Sequence, residues 1–143
     1  MSTERIVVQR AVADKFRHAL TEAAEAEFGK SVDAPILVSS APVEKVRRLV
    51  SDAVSKGASI LFGDNNAQES AAASYRPVIV EQVTKEMDLY AAESFGPTVA
   101  LYVVDTEEEA IALANDTEYG LTSAVFTEDL RRGLRVAKQL ETG

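Results

Sequence analysis

Five consecutive residues, Glu93-Ser94-Phe95-Gly96-Pro97, form the stretch best suited to chemistry. They set a carboxylate and an aromatic ring two positions apart, on a Gly-Pro turn that leads into an apolar run. A carboxylate can accept hydrogen bonds from a ribose diol, and a phenyl ring can pack against a flat heterocycle. On spacing alone the stretch reads more readily as an acidic loop in which Phe95 anchors the core. No phosphate cradle accompanies it, because the sequence has neither a GxGxxG nor a Walker loop.

Other chemistries are narrowed by composition. The 143 residues contain no cysteine and one histidine, His18. Disulfides, zinc-thiolate sites and cysteine nucleophiles are therefore excluded for these residues. His18 sits in a charged helical stretch and reads as a surface residue, and a metal site is not expected. The net charge of −8 argues against a nucleic-acid binder, since phosphate recognition needs clustered cations. The one basic cluster, Arg131, Arg132, Arg135 and Lys138, has helical spacing and reads as a solvated face. Met1 to Arg10 carries no apolar signal core, and no apolar run is long enough for a membrane span. A cytoplasmic chain with no membrane partner is the expectation.

The elements that must hold these residues follow from periodicity. Ile6 to Gln9 reads as a strand and Ala11 to Phe28 as a helix, with an inner face of Val12, Phe16, Ala19, Leu20, Ala23 and Ala24 and a stop at Gly29. Ile36 to Val38 is strand-like or extended. Pro42 suits the first turn of a second helix, whose stripe is Val43, Val46, Val50 and Ala53, and Gly57 can cap it. Ser59 to Phe62 reads as a strand, residues 63 to 66 as a turn and residues 67 to 74 as a surface loop.

Tyr75 to Val83 resumes strand character, with Pro77 placing its start at an edge or a non-donating position. Glu86 to Ala92 reads as a loop or a short helix. Thr98 to Val104 is apolar almost throughout and suits a strand buried on both faces. Thr106 and Glu109 form a capping box for the next helix. Asn115 to Gly120 reads as a turn, Ser123 to Phe126 as a strand, and Glu128 to Leu140 as a helix capped by Thr127 with an inner stripe of Leu130, Leu134, Ala137 and Leu140. Strands alternating with helices predict an α/β fold: a doubly wound, mostly parallel sheet with helices on both faces.

Several stretches, in order, resemble the aldehyde dehydrogenase superfamily. Glu93-Ser94-Phe95-Gly96-Pro97 resembles its E-x-F-G-P motif. Ser2 to Val8 resembles the segment just after its catalytic cysteine, and Val43 to Val46 with Ala53 to Ala58 resembles its ERV…AVAKGA helix. Tyr75-Arg76-Pro77 resembles its Y-x-P strand start, and Glu108 to Leu121 its EEAI…AN…YGL block. The resemblance covers nearly the whole chain, and residues 28 to 40 and 64 to 74 match least.

The resemblance implies a reaction. A cysteine thiolate attacks an aldehyde, hydride passes to a nicotinamide held by a Rossmann-like domain, and water cleaves the thioester. It implies that Glu93 hydrogen-bonds the nicotinamide ribose and that Phe95 packs near the nicotinamide. Asn115 and Gly120 match positions that look structural. In the family the nucleophile directly precedes a segment like Met1 to Arg5, and the base glutamate, the oxyanion asparagine and the nucleotide-binding domain lie further upstream. The expectation is thus that residues 1–143 are a partial catalytic domain with no catalytic residue of its own, inactive alone. NAD or NADP would bind the full-length parent, and nothing tightly to this chain. The parent's partner would be a small-molecule aldehyde, with resemblance strongest to dehydrogenases of aromatic aldehydes. A homo-oligomer is expected. The alternative is a stand-alone, non-catalytic binding or assembly module of the same descent.

Overall fold

The computed structural model describes residues 3–29, 33–67 and 71–142. Met1 and Ser2 of the segment resembling the post-cysteine stretch, residues 68–70 of the expected surface loop, and Gly143 lie outside the described residues. Strand β1 (Arg5–Gln9) runs into helix α1 (Arg10–Phe28), followed by α2 (Ser40–Ser55), β2 (Ser59–Phe62) and β3 (Val78–Glu81). A short helix α3 (Asp88–Ala91) precedes β4 (Thr98–Val104), and α4 (Glu107–Asn115) and α5 (Leu130–Ala137) complete the chain.

The sheet order is β1-β4-β3-β2. β4 pairs in parallel with β1, Arg5 opposite Ala100, and with β3, Val78 opposite Thr98. Only β2 runs antiparallel, against β3. The sheet is therefore mostly parallel, with apolar packing on both faces. On one face Ala13 and Ala24 of α1 pack with Val8, Ile79 and Leu101. On the other, α2 and α3 pack Val43, Val46, Val50 and Leu89 against Val78, Val80, Ala100 and Tyr102. Consecutive residues of β3 and β4 serve opposite cores, as the two-residue period of a strand requires.

The α2 stripe is buried as its spacing predicts, with Leu49 added. Gly57 takes φ +104° after it, a conformation that favours glycine. The Thr106–Glu109 capping box forms in both directions. The inner face of α1 is rotated from the predicted one. Val12 is 53% exposed and Phe16 36%, whereas Ala13, Leu20 and Ala24 face the sheet. Arg17 shares that face and pairs with Glu81 at the end of β3, 2.5 Å away.

Three other expectations change. The strand expected over Tyr75 to Val83 is confined to Val78–Glu81, because Pro77 has no N–H to donate and Gln82 turns to φ +60°. The segment Ser123 to Phe126 forms no strand, since no described residue pairs with it. Helix α5 is shorter than expected and capped by Asp129, whose side chain accepts from the Arg131 and Arg132 N–H groups. Thr127 instead accepts from the Asp129 N–H. The predicted inner stripe of α5 is uncovered, with Leu130 74% and Leu134 56% exposed.

Candidate functional site: the elbow before β4

Because β1 and β4 are parallel neighbours, their N-terminal ends lie side by side. That register brings Glu4, the residue before β1, next to the 93–97 elbow that feeds β4. The backbone carbonyl of Glu4 accepts the Ala100 N–H at 3.0 Å. Its side-chain Oε1 accepts from the Ser94 N–H at 3.1 Å, the Ser94 hydroxyl at 3.0 Å and the Phe95 N–H at 3.4 Å.

The elbow is held from the other side by α2. Lys45 donates from Nζ to the Glu93 carbonyl at 2.7 Å and lies 5.5 Å from the centre of the Phe95 ring. Ser94 is fully buried and its hydroxyl oxygen accepts the Gly96 N–H at 3.2 Å. Gly96 abuts Val46, where any Cβ would run into the valine Cγ2. Beyond it, the Gly96 carbonyl accepts from Thr98 N–H and the Pro97 carbonyl from Val78 N–H, which stitches the turn to β3 and β4.

Between these anchors, Phe95 takes a left-handed φ of +53° and is 72% exposed. A phenylalanine in that conformation costs roughly 1–2 kcal/mol, which the surrounding hydrogen bonds offset. The reading of Phe95 as a core anchor is therefore wrong; its ring stands in solvent beside the Lys45 ammonium. Glu93 is half-buried. Among the described residues no group donates to the Glu93 carboxylate, while its carbonyl is bound by Lys45. The elbow thus offers a ring and an acceptor, both available to a ligand.

Sequence reading missed two residues here. Lys45 lies within the Val43 to Val46 stretch but reads there as an ordinary helix-surface charge, and only the register of α2 against the elbow reveals its role. Glu4 precedes a β-branched run and looks like ordinary solvated charge.

A second cluster gathers Asn115 and Gly120. Asn115 donates from Nδ2 to the Gln139 carbonyl at 2.8 Å and accepts the Glu141 N–H at 3.0 Å. A Cβ on Gly120 would lie 2.8 Å from the Glu141 carbonyl oxygen. Asn115 therefore fastens the stretch after α5 to the end of α4, and Gly120 leaves room for that stretch to pass, both structural tasks. Nearby, Asp116 accepts from the Tyr90 hydroxyl and from Lys85, each at 2.5 Å, and the lysine holds its carboxyl below the usual aspartate range.

A groove of about 320 Å³ opens at the opposite ends of β3 and β4, lined by Arg10, Arg17, Glu81, Gln82 and Tyr102. Ligands of open α/β sheets commonly bind at such carboxyl ends. Here both arginines are already engaged, Arg10 with Asp105 and Arg17 with Glu81 and Asp14. The elbow is the better candidate because the Phe95 ring is largely exposed and no described residue donates to the Glu93 carboxylate. Within the basic cluster, Arg132 and Arg135 pair with Glu107 at the surface. His18 is exposed beside Glu22. No helix among the described residues is long and apolar enough to cross a membrane.

An α/β sheet wound on both faces, with an acid and a ring presented before its central strand, defines a class that comparison makes specific. The chain belongs to the aldehyde dehydrogenase family, whose model matches residues 1–143. It is 37% identical to a putative succinate-semialdehyde dehydrogenase [NADP(+)] of Mycolicibacterium smegmatis, over 100% of this chain and 29% of that protein. It is 36% identical to the lactaldehyde dehydrogenase of Escherichia coli, over 98% of this chain and 30% of the relative. Among solved structures, the succinic semialdehyde dehydrogenase of Streptococcus pyogenes in complex with NADP+ superposes with a TM-score of 0.86 at 30% identity, covering 98% of this chain and 32% of the other. The chain thus spans about a third or less of the proteins it matches.

Proposed function

We propose that residues 1–143 form the nicotinamide-facing part of the catalytic domain of an NAD(P)-dependent aldehyde dehydrogenase. Glu93 accepts hydrogen bonds from the nicotinamide ribose, and Phe95 packs near the nicotinamide ring. The observation that carries this reading is the elbow: an exposed ring on left-handed backbone, fixed by Glu4 and Lys45, next to a carboxylate to which no described residue donates. An orphan acceptor and an exposed ring fit the polar and flat parts of a nicotinamide ribose. The dinucleotide, when bound, supplies the hydride acceptor. This chain's residues orient it: Glu93 by hydrogen bonding, Phe95 by packing, and Gly96 by letting the elbow close on α2.

Alone, the chain is proposed to be inactive, because its residues include no cysteine to attack the aldehyde. Its substrate in the parent enzyme is a small aldehyde. The resemblance of Met1 to Val8 and Thr98 to Val104 to aromatic-aldehyde dehydrogenases supports an aromatic one. Two similar relatives are a putative succinate-semialdehyde dehydrogenase and a lactaldehyde dehydrogenase, which supports a short polar one instead. The exposed Leu121, Phe126, Leu130 and Leu134 support association with further protein, either the remainder of a parent enzyme or another copy. Such exposed apolar residues are also what the assembly-module reading requires.

Titration of the labelled chain with nicotinamide mononucleotide tests the site. Weak binding, with a Kd in roughly the millimolar range, should shift the amides of residues 93–97 first, since only one end of the cofactor is held. Glu93→Gln and Phe95→Ala should each weaken it. No shift in that stretch, or unchanged binding in both variants, contradicts the reading.

A further inference from the structure

We propose that Glu4 is a positioning residue whose carboxylate sets the conformation of the 93–97 elbow. The functional meaning of this role rests on the nicotinamide reading of that elbow. Glu4 is fixed at the sheet by its own backbone, since its carbonyl accepts the Ala100 N–H at 3.0 Å. Its side chain therefore projects from a defined point. One oxygen, Oε1, gathers the Ser94 N–H, the Ser94 hydroxyl and the Phe95 N–H at 3.0 to 3.4 Å.

Consecutive backbone N–H groups converging on one point make an anion-binding concavity when one residue is left-handed. Phe95 is that residue, at φ +53°. The anion here is the chain's own Glu4. Removing it would leave two N–H groups short of an acceptor and a fully buried Ser94 hydroxyl with only Gly96 beside it. Lys45 cannot replace it, because it donates and reaches only the Glu93 carbonyl and the Phe95 ring. Glu4 thus fixes which way the Phe95 ring faces, and it joins the start of β1 to the elbow before β4.

The test compares the 143-residue chain with Glu4→Gln and Glu4→Ala by amide hydrogen exchange and by the shifts that nicotinamide mononucleotide induces at Phe95. In Glu4→Ala the Ser94 and Phe95 amides should exchange about tenfold faster or more, and the ligand-induced shift at Phe95 should be lost. The Ala100 amide, held by the Glu4 backbone, should be unaffected. Glu4→Gln keeps an acceptor oxygen and should restore both readouts to near the starting chain. Unchanged exchange at Ser94 and Phe95, a glutamine variant as impaired as the alanine one, or faster exchange at Ala100 in step with the elbow would each overturn the proposal. A starting chain that shows no ligand-induced shift defeats the nicotinamide reading alone, because the exchange comparison still decides whether Glu4 holds the elbow.

Discussion

The Glu4 carboxylate accepts both the backbone and the hydroxyl protons of Ser94, at 3.1 and 3.0 Å, across 90 residues of sequence. With Lys45 on the far side, this clasp leaves the elbow little freedom. Stiffness suits a binding element, since a pre-formed conformation avoids the ordering cost of binding.

The elbow should depend on Gly96. A Cβ there collides with Val46 on α2. Gly96→Ala should destabilise the fold by about 1–3 kcal/mol, the usual cost of overpacking. Urea unfolding measures this, and adding Val46→Ala should recover part of the loss. An unchanged midpoint would mean that α2 yields easily.

Asn115 should act locally. Asn115→Ala removes the acceptor of the Glu141 N–H and the donor to Gln139. Exchange at the Glu141 amide should accelerate several-fold, at a cost of about 1 kcal/mol. Exchange in β3 and β4 should be unaltered.

Stability should fall in acid. Arg10 holds Asp105, Lys56 holds Asp52, Arg135 holds Glu107 and Lys85 holds Asp116 below their ordinary values. A depressed folded-state pKa means that the unfolded chain binds protons more readily. Each contribution is whole above the unfolded values of 4.5 for the glutamate and 3.8 for the aspartates. It is lost as pH falls below them toward the folded values. All four groups are solvent-screened, so the slope should flatten in high salt. Urea midpoints from pH 7 to pH 3, at two salt concentrations, check this.

The chain should self-associate. Leu121, Phe126, Leu130 and Leu134 are each more than half exposed, and neither edge strand, β1 or β2, is paired on its outer side within the described residues. Light scattering should show mass rising with concentration, and Leu130→Lys with Leu134→Lys should reduce it. A monomer at all concentrations would count against this.

No NADH should form from benzaldehyde and NAD with the purified chain. Turnover above a no-protein control would refute the proposal that these residues are inactive alone.

Much of this architecture was legible from residue spacing. Val43, Val46, Val50 and Ala53 announced the buried side of α2, and Thr106 with Glu109 announced the start of α4. These features are local: a stripe or a cap is complete within four residues. What spacing could not deliver was set by distant partners. The face of α1 that meets the sheet includes Arg17, whose partner Glu81 lies on a distant strand, and Ser123 to Phe126 stayed unpaired because a strand needs a neighbour. At the elbow, the Gly-Pro turn and its two candidate residues stood out in sequence. Glu4 and Lys45 did not, since each becomes meaningful only when β1 meets β4 and α2 meets the turn.

The account stands most directly on whether Phe95 meets a nicotinamide. Nuclear Overhauser contacts between the ring protons of nicotinamide mononucleotide and those of Phe95, recorded on the labelled chain, measure this. Contacts to Phe95 that weaken in Glu93→Gln with the fold intact are expected. Ligand contacts confined to the Arg10–Arg17 groove, with none at Phe95, would contradict it.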